Sequence, residues 1–178
     1  QTDNPKMAYH EIVAHVLGRI AEDLGARAQE DEMRKFGDSI GQWPPFPDSR
    51  EALSYLRRHF KLVALTNVDK RSFARTHLLL GEPFHVIVTA EDVGSYKPAH
   101  ENFLYAFERI AEWGVARDKI LHVAQSLYHD IAPARALGLA TVWVDRQTGR
   151  GPGMTPPTDA QPDLRVTSMA ELTALHRA

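Results

Sequence analysis

The chain has 178 residues, of which 43% are hydrophobic and 25% are charged, and its formal net charge at pH 7 is -2. This is the balance of an ordinary globular domain, and it gives no general attraction to nucleic acid or to an anionic membrane surface. The lack of cysteine excludes disulfide bonds, thiolate metal sites and cysteine nucleophiles, and suits a cytoplasmic protein. No apolar run has the length that a membrane span needs.

Two helices are predicted near the start of the chain. Over residues 6–24 the apolar residues recur at helical spacing on one face. Pro5 suits the first helical position and Gly25 suits the stop. A second, more polar helix is predicted over roughly 28–37 and ends near Gly37.

A proline-rich segment then divides the chain. Residues 43–47, Trp-Pro-Pro-Phe-Pro, can form neither a helix nor a central strand, because proline lacks the backbone donor that both need. We therefore predict a partial helical cap over 1–45 and a second unit over 46–178.

Helices and strands alternate in the second unit. Asp48 and Glu51 make a capping box for its first helix, and a segment over 146–162, rich in glycine and proline, is predicted to be a loop. The predicted helices are 48–59, 70–80, 98–110, 129–137 and 169–176, and the predicted strands are 61–65, 84–89, 120–124, 141–145 and 164–166.

Alternating helices and strands imply right-handed crossovers and a parallel sheet that is covered on both faces. The expected fold is therefore α/β, a Rossmann-like core of three layers with a small helical cap. Ligands of such sheets gather at the carboxyl ends of the strands, so the residues that follow each strand are the candidates for a functional site.

Three of these strand ends carry polar side chains. Thr66 and Asn67 follow the first strand and can donate hydrogen bonds to an anion, although both also suit a helix cap. Lys97 precedes a helix-starting proline, where its ammonium would neutralise developing negative charge; the alternative is a solvated surface lysine. Ser126 and Asp130 follow the third strand, and a carboxylate at that helix start is also favoured by the helix dipole alone.

The order of these signals is more specific than any one of them. Thr66-Asn67, Lys97-Pro98, and Ser126 with Asp130 and Gly138 resemble motifs two, three and four of the haloacid dehalogenase superfamily. The stretches 96–98, 122–130 and 142–146 are similar to the type II haloacid dehalogenase branch. The resemblance covers residues 46–178, and residues 1–45 resemble the helical cap that this branch inserts between its first and second motifs.

The resemblance implies a hydrolase. In that family an aspartate of the first motif attacks the substrate and forms an ester, which water then hydrolyses. That motif precedes the cap, so we expect the nucleophile and its strand to be absent from this chain, leaving unpaired strand edges and marginal stability. Asp69 is no substitute, since it is expected to cap the helix that starts near Lys70.

The resemblance also implies roles and partners. Thr66 and Asn67 would hold the substrate carboxylate or the nucleophile, Lys97 would balance charge, and Ser126 and Asp130 would orient the catalytic groups. The implied substrate is a small organic acid or a related anionic compound, and the implied assembly is a homodimer.

Three residues depart from the family pattern. Gln125 stands where metal-dependent members place an acidic Mg²⁺ ligand, so we expect no metal cofactor. Leu127 and Phe103 stand where characterised dehalogenases carry Asn and Tyr, which leaves the substrate open. The alternatives are a Mg²⁺-dependent phosphatase of the same superfamily and a non-catalytic binding or regulatory module. His129 is expected to be a surface histidine on a helix.

Overall fold

The computed structural model describes residues 7–147 and 156–178. In chain order the elements are α1 (Tyr9–Asp23), α2 (Glu30–Asp38), α3 (Ser49–Arg57), β1 (Val63–Thr66), α4 (Lys70–Leu79), β2 (Val86–Thr89), α5 (Ala90–Val93), α6 (His100–Ala111), β3 (Leu121–Ala124), α7 (Ala132–Ala136), β4 (Ala140–Val144), β5 (Leu164–Val166) and α8 (Met169–Arg177). No helix within these ranges is long and apolar enough to cross a membrane.

The strands are parallel, as predicted, but they form two sheets instead of one. β1 pairs with β2, with Val63 opposite Val86, and β3, β4 and β5 form a second sheet in that order. Among the described residues, β1 pairs with β2 alone and β3 pairs with β4 alone. Each sheet therefore has an edge strand, β1 in one and β3 in the other, whose carboxyl end carries a predicted motif.

Helices bury both faces of these strands. On one side, Phe103 and Phe107 of α6 pack with Ala134 of α7 and contact Leu65 and Ile120, so that one helix spans both sheets. The predicted buried face of α6, at positions 103, 106, 107 and 110, is confirmed. On the other side, an apolar cluster of α3, β4, β5 and α8 forms a second core: Leu56, Val142, Val144, Val166 and Leu172. The predicted layered α/β architecture is confirmed.

Asp48 has a different role from the one that was predicted. Its side chain makes no bond to the start of α3. It accepts hydrogen bonds at the start of α8 instead, from Met169 N at 2.7 Å and Ala170 N at 3.3 Å, and pairs with Arg146 at 3.0 Å. The capping-box prediction was wrong because four free N–H groups of a helix 120 residues away compete for the same carboxylate.

Several helix boundaries also differ from the predictions. The helix predicted from 129 begins as a π-helical turn, Leu127–Ile131, before it continues as α7. The helix after Pro98 begins two residues later, at His100. The short α5 was not predicted; Thr89 caps it by accepting a bond from Asp92 N. α1 begins at Tyr9, so Met7 and Ala8 are not helical as predicted. Residues 148–155 of the predicted loop, and Pro5 and Lys6 at the predicted start of the first helix, lie outside the described residues.

The helices α1 and α2 form an antiparallel hairpin with a close contact. The predicted end of α2 near Gly37 is confirmed, since the helix ends one residue later, at Asp38. An added Cβ at Gly37 would lie 2.2 Å from the backbone oxygen of His10. Glycine is therefore required here by the approach of two backbones, and not by a helix stop. The division of the chain at residue 45 stays a prediction.

We expect Gly37→Ala to destabilise the α1–α2 hairpin. The backbones must separate to admit the methyl group, which costs about 1–3 kcal/mol of unfolding free energy. Gly18→Ala is the matched control, since a Cβ there meets only the flexible end of Met33, and alanine favours the helix by up to about 1 kcal/mol. Urea denaturation of both variants measures the difference. Equal stability of the two would contradict the close-contact explanation.

Candidate active site at the ends of β1 and β3

A buried ion pair joins the ends of the two sheets. The ammonium of Lys97 donates to Asp130 Oδ1 at 2.7 Å and to the backbone oxygen of Leu65, in β1, at 2.8 Å. The side chains are only 10% and 9% exposed, so the prediction of a solvated surface lysine does not apply. Asp130 lies in the turn that follows β3, so one lysine connects the carboxyl ends of both edge strands.

Asn67 fixes the backbone that carries this lysine. Its amide oxygen accepts from Lys97 N at 2.7 Å, and its amide nitrogen donates to Lys97 O at 3.1 Å. Both polar groups of the Lys97 main chain are thus held by one side chain from the loop after β1. The peptide bond between Lys97 and Pro98 is cis. The predicted contact of Asn67 with a substrate stays a prediction, but its contact with Lys97 is part of the structure.

The electrostatics of Asp130 follow from this arrangement. Burial by itself disfavours the charged carboxylate, but the adjacent Lys97 ammonium and the hydrogen bond from His122 outweigh it and lower the pKa of Asp130 to about 2. Asp130 is consequently ionised at neutral pH and acts only as a hydrogen-bond acceptor.

Ser126 organises the turn between β3 and α7. Its hydroxyl oxygen accepts from His129 N at 3.0 Å and lies 3.1 Å from His129 Nδ1. His129 is half-buried, not the surface histidine that was predicted. Burial, together with the nearby positive charge of Lys97, lowers the pKa of His129 despite the opposing effect of Asp130. His129 is therefore a neutral imidazole at pH 7.

The five predicted site residues meet at one edge of the fold. Lys97 touches Asn67 and Asp130, and Ser126 lies in the same turn as Asp130, whose backbone N–H donates to Ser126 O. Thr66 lies at the end of β1, and its hydroxyl oxygen accepts from Val68 N at 3.1 Å. The structure supports their grouping, while their roles toward a substrate stay predictions.

One residue of this group was missed. His122, in the middle of β3, places Nε2 3.2 Å from Asp130 Oδ1, and its side chain is 14% exposed. A signal was present, because a histidine interrupts an otherwise apolar strand. A largely buried polar side chain needs a partner, but only the tertiary structure identifies that partner as Asp130.

Asp69 is placed as the sequence suggested, and Gln125 lies at the surface. Gln125 is exposed, and its backbone oxygen accepts from Trp143 Nε1 at 2.8 Å. Asp69 accepts from Ser72 N at 2.8 Å and caps α4, as predicted. Within the described ranges, no three side chains of His, Asp or Glu are grouped so that they could hold a metal ion.

The comparison with known proteins agrees with this geometry. A family model described as haloacid dehalogenase-like hydrolase matches residues 6–138. The chain belongs to this family. The haloacid dehalogenase-like fold expected from the three motifs is therefore confirmed.

Two curated relatives of this haloacid dehalogenase-like chain carry phosphatase names. It is 32% identical over 132 residues to glyceraldehyde 3-phosphate phosphatase of Methanopyrus kandleri, covering 72% of this chain and 54% of that protein. It is 29% identical over 135 residues to phosphoserine phosphatase of Thermus thermophilus, covering 74% and 51% respectively. The chain thus spans about half the length of these two relatives.

A solved structure shares the fold of this chain. L-2-haloacid dehalogenase from Xanthobacter autotrophicus superposes with a TM-score of 0.81 at 18% identity, over 97% of this chain and 77% of that one. At this identity the likeness concerns the fold. The family is therefore that of hydrolases, whereas the bond that is hydrolysed is not given by the comparisons.

We expect Asp130→Asn to destabilise the chain strongly, because the buried Lys97 ammonium loses its counter-charge. The expected loss of unfolding free energy is about 3–5 kcal/mol. The double variant Lys97→Met with Asp130→Asn, which leaves no unpaired buried charge, should lose less. Urea denaturation at pH 7 compares them. If the single and double variants lose the same free energy, the ion-pair explanation fails.

The same carboxylate predicts an acid dependence. The folded-state pKa of Asp130 lies below its ordinary value of 3.8, at about 2. Its stabilising contribution is therefore complete above about pH 4 and is lost as the pH falls toward 2. The shift corresponds to about 2–3 kcal/mol. Between pH 5 and pH 2 the unfolding free energy of the wild type should therefore fall further than that of the double variant. The expected difference is about 2–3 kcal/mol. If the unfolding free energies of the wild type and the double variant fall in parallel as the pH is lowered, this contribution of Asp130 is refuted.

Proposed function

We propose that the protein containing this chain hydrolyses a small organic acid through an aspartyl-ester intermediate, as a 2-haloacid dehalogenase-like enzyme, without a metal cofactor. The observation that carries the proposal is the buried Lys97 at the carboxyl ends of β1 and β3. Its ammonium has three N–H donors, and two of them donate within the described structure, to Leu65 O and Asp130 Oδ1. The third is available for an anion.

A buried cation of this kind suits the chemistry. In a site that excludes water, a fixed positive charge stabilises negative charge on a nucleophile, a substrate carboxylate or a leaving group far more than it does in solution. Asn67 holds the Lys97 backbone in place, so little reorganisation is needed when the anion arrives. Thr66 and Asn67 are proposed to bind the substrate carboxylate, and Ser126 and Asp130 to orient the reacting groups.

The nucleophile is proposed to lie outside these 178 residues. Among the described aspartates, Asp69 caps α4 and Asp130 pairs with Lys97, so both are engaged elsewhere. The edges of β1 and β3 are unpaired within the described structure and meet at Lys97. A strand of the whole protein that paired with both would place an aspartate at its carboxyl end opposite the ammonium.

Two steps then complete the reaction. The aspartate attacks the carbon bearing the leaving group, forms an ester and expels halide with its bonding electrons. Water next attacks the ester carbonyl, which releases the hydroxy acid, regenerates the aspartate and leaves one proton in solvent. Lys97 is proposed to balance negative charge in both steps, and a homodimer is proposed as the assembly.

The second candidate is a Mg²⁺-dependent phosphatase. The names of two curated relatives favour it. Gln125 argues against it, because a neutral amide is a weaker partner for Mg²⁺ than the carboxylate that metal-dependent members place there.

The test is turnover by the whole protein, with and without Mg²⁺. We expect halide release from 2-haloacids that EDTA does not abolish, and loss of at least about 100-fold in Lys97→Met because a charge that stabilises the transition state is gone. Lys119→Met, at an exposed lysine, is the control and should retain activity. Mass spectrometry during turnover should detect the aspartyl ester. Phosphate release that requires Mg²⁺ would instead favour the second candidate, and full activity of Lys97→Met would overturn the role of the lysine.

A further inference from the structure

A largely buried histidine in the edge strand β3 calls for an explanation. His122 lies in β3 opposite Thr141 of β4, and its side chain is 14% exposed. A leucine or valine would fill this position without the cost of desolvating a polar ring. The ring therefore has to be explained by what its nitrogen contacts, and that contact is Asp130 Oδ1 at 3.2 Å.

The direction of this hydrogen bond follows from the charge of Asp130. The carboxylate is buried and lies 2.7 Å from the Lys97 ammonium, so it is ionised and can only accept. His122 Nε2 must therefore carry the proton. The same oxygen, Oδ1, accepts from both His122 and Lys97, and a displacement of this oxygen moves the acceptor of the lysine.

The histidine itself is held rigidly. Its ring lies 5.3 Å from the ring of Phe103 at an angle of 56°, and Phe103 is 1% exposed. Phe103 belongs to the core cluster between α6 and α7, which leaves the imidazole little freedom to turn. A lysine has a flexible four-carbon stem and does not hold a direction by itself. Packing on Phe103 thus fixes His122, which fixes Asp130, which fixes Lys97.

We propose that His122 is a positioning residue that holds Asp130, and through it directs the Lys97 ammonium toward the anion site. This inference rests on the proposed function for the role of Lys97 toward an anion. The contacts from His122 through Asp130 to Lys97 can nevertheless be tested without a substrate. Groups that support a reacting residue from behind commonly decide its orientation. The alternative is a histidine that only fills space in the core. The two explanations differ in which substitutions of His122 should change the reactivity of Lys97.

The experiment measures the reactivity of the Lys97 amine in the whole protein. Trace acetylation with acetic anhydride at pH 8, followed by peptide mass spectrometry, gives the rate for each lysine, and exposed Lys119 is the internal reference. His122→Gln keeps an N–H at the distance of Nε2. His122→Leu fills the space without a donor, and His122→Asn has a donor that is too short to reach Asp130.

Positioning predicts that His122→Gln matches the wild type within about twofold, whereas His122→Leu and His122→Asn both change the Lys97 rate by at least threefold relative to Lys119. If His122→Leu matches the wild type and only His122→Asn differs, the residue merely fills space and the proposal is overturned. If all three variants match the wild type, it is overturned as well. Thermal melting identifies any variant that is unfolded; were His122→Leu unfolded, the comparison of His122→Gln with His122→Asn would decide.

The proposed function is tested separately in the same samples. Chloroacetate and inorganic phosphate are added to the wild type, and protection of Lys97 from acetylation reports an anion beside the ammonium. Absence of protection by either anion would count against the proposed anion site. The comparison of the His122 variants would keep its meaning, because it concerns the internal contact of Asp130 with Lys97 and needs no ligand.

Discussion

The architecture depends on one buried ion pair. The two sheets share no backbone hydrogen bonds within the described residues, and the ends of β1 and β3 are joined by the Lys97 ammonium between Leu65 O and Asp130 Oδ1. Such a pair is costly to desolvate and stabilises only when its remaining bonds are satisfied. Leu65 O on the ammonium and His122 on the carboxylate supply two of those bonds. The contacts that shape the candidate site are therefore also contacts that join the two sheets.

The same ion pair fits both reactions proposed for the whole protein. The fold is similar to that of an L-2-haloacid dehalogenase, and two curated relatives are named as phosphatases. A buried ammonium at the strand ends would suit either reaction, because it would stabilise negative charge on an anionic substrate. The choice between the two proposals therefore depends on Gln125, a neutral amide where a carboxylate would suit Mg²⁺ better.

The helices and strands were largely predictable, because local signals determine them. A short apolar segment indicated β5, and helical spacing of apolar residues indicated the buried face of α6. Asp69 caps α4 as its position indicated. Asp48 was assigned to the wrong helix, since a carboxylate satisfies whichever free N–H groups the fold brings to it. The end of α2 near Gly37 was predicted, but the reason for a glycine there lies on the neighbouring helix. The roles of Asp48 and Gly37 both depend on contacts that sequence spacing does not contain.

The sequence by itself determined the family and the residues that gather at the strand ends. The order of Thr66-Asn67, Lys97-Pro98 and Ser126 with Asp130 can be read from the sequence alone. These residues are expected to meet because parallel strands bring their carboxyl ends to one edge. Only the tertiary structure decided how these residues are connected. Lys97 and Asp130 are 33 positions apart, and His122 became part of the group through a single nitrogen that faces Asp130. Such contacts arise from packing in three dimensions, because buried charges and buried polar rings are stable only when they are paired.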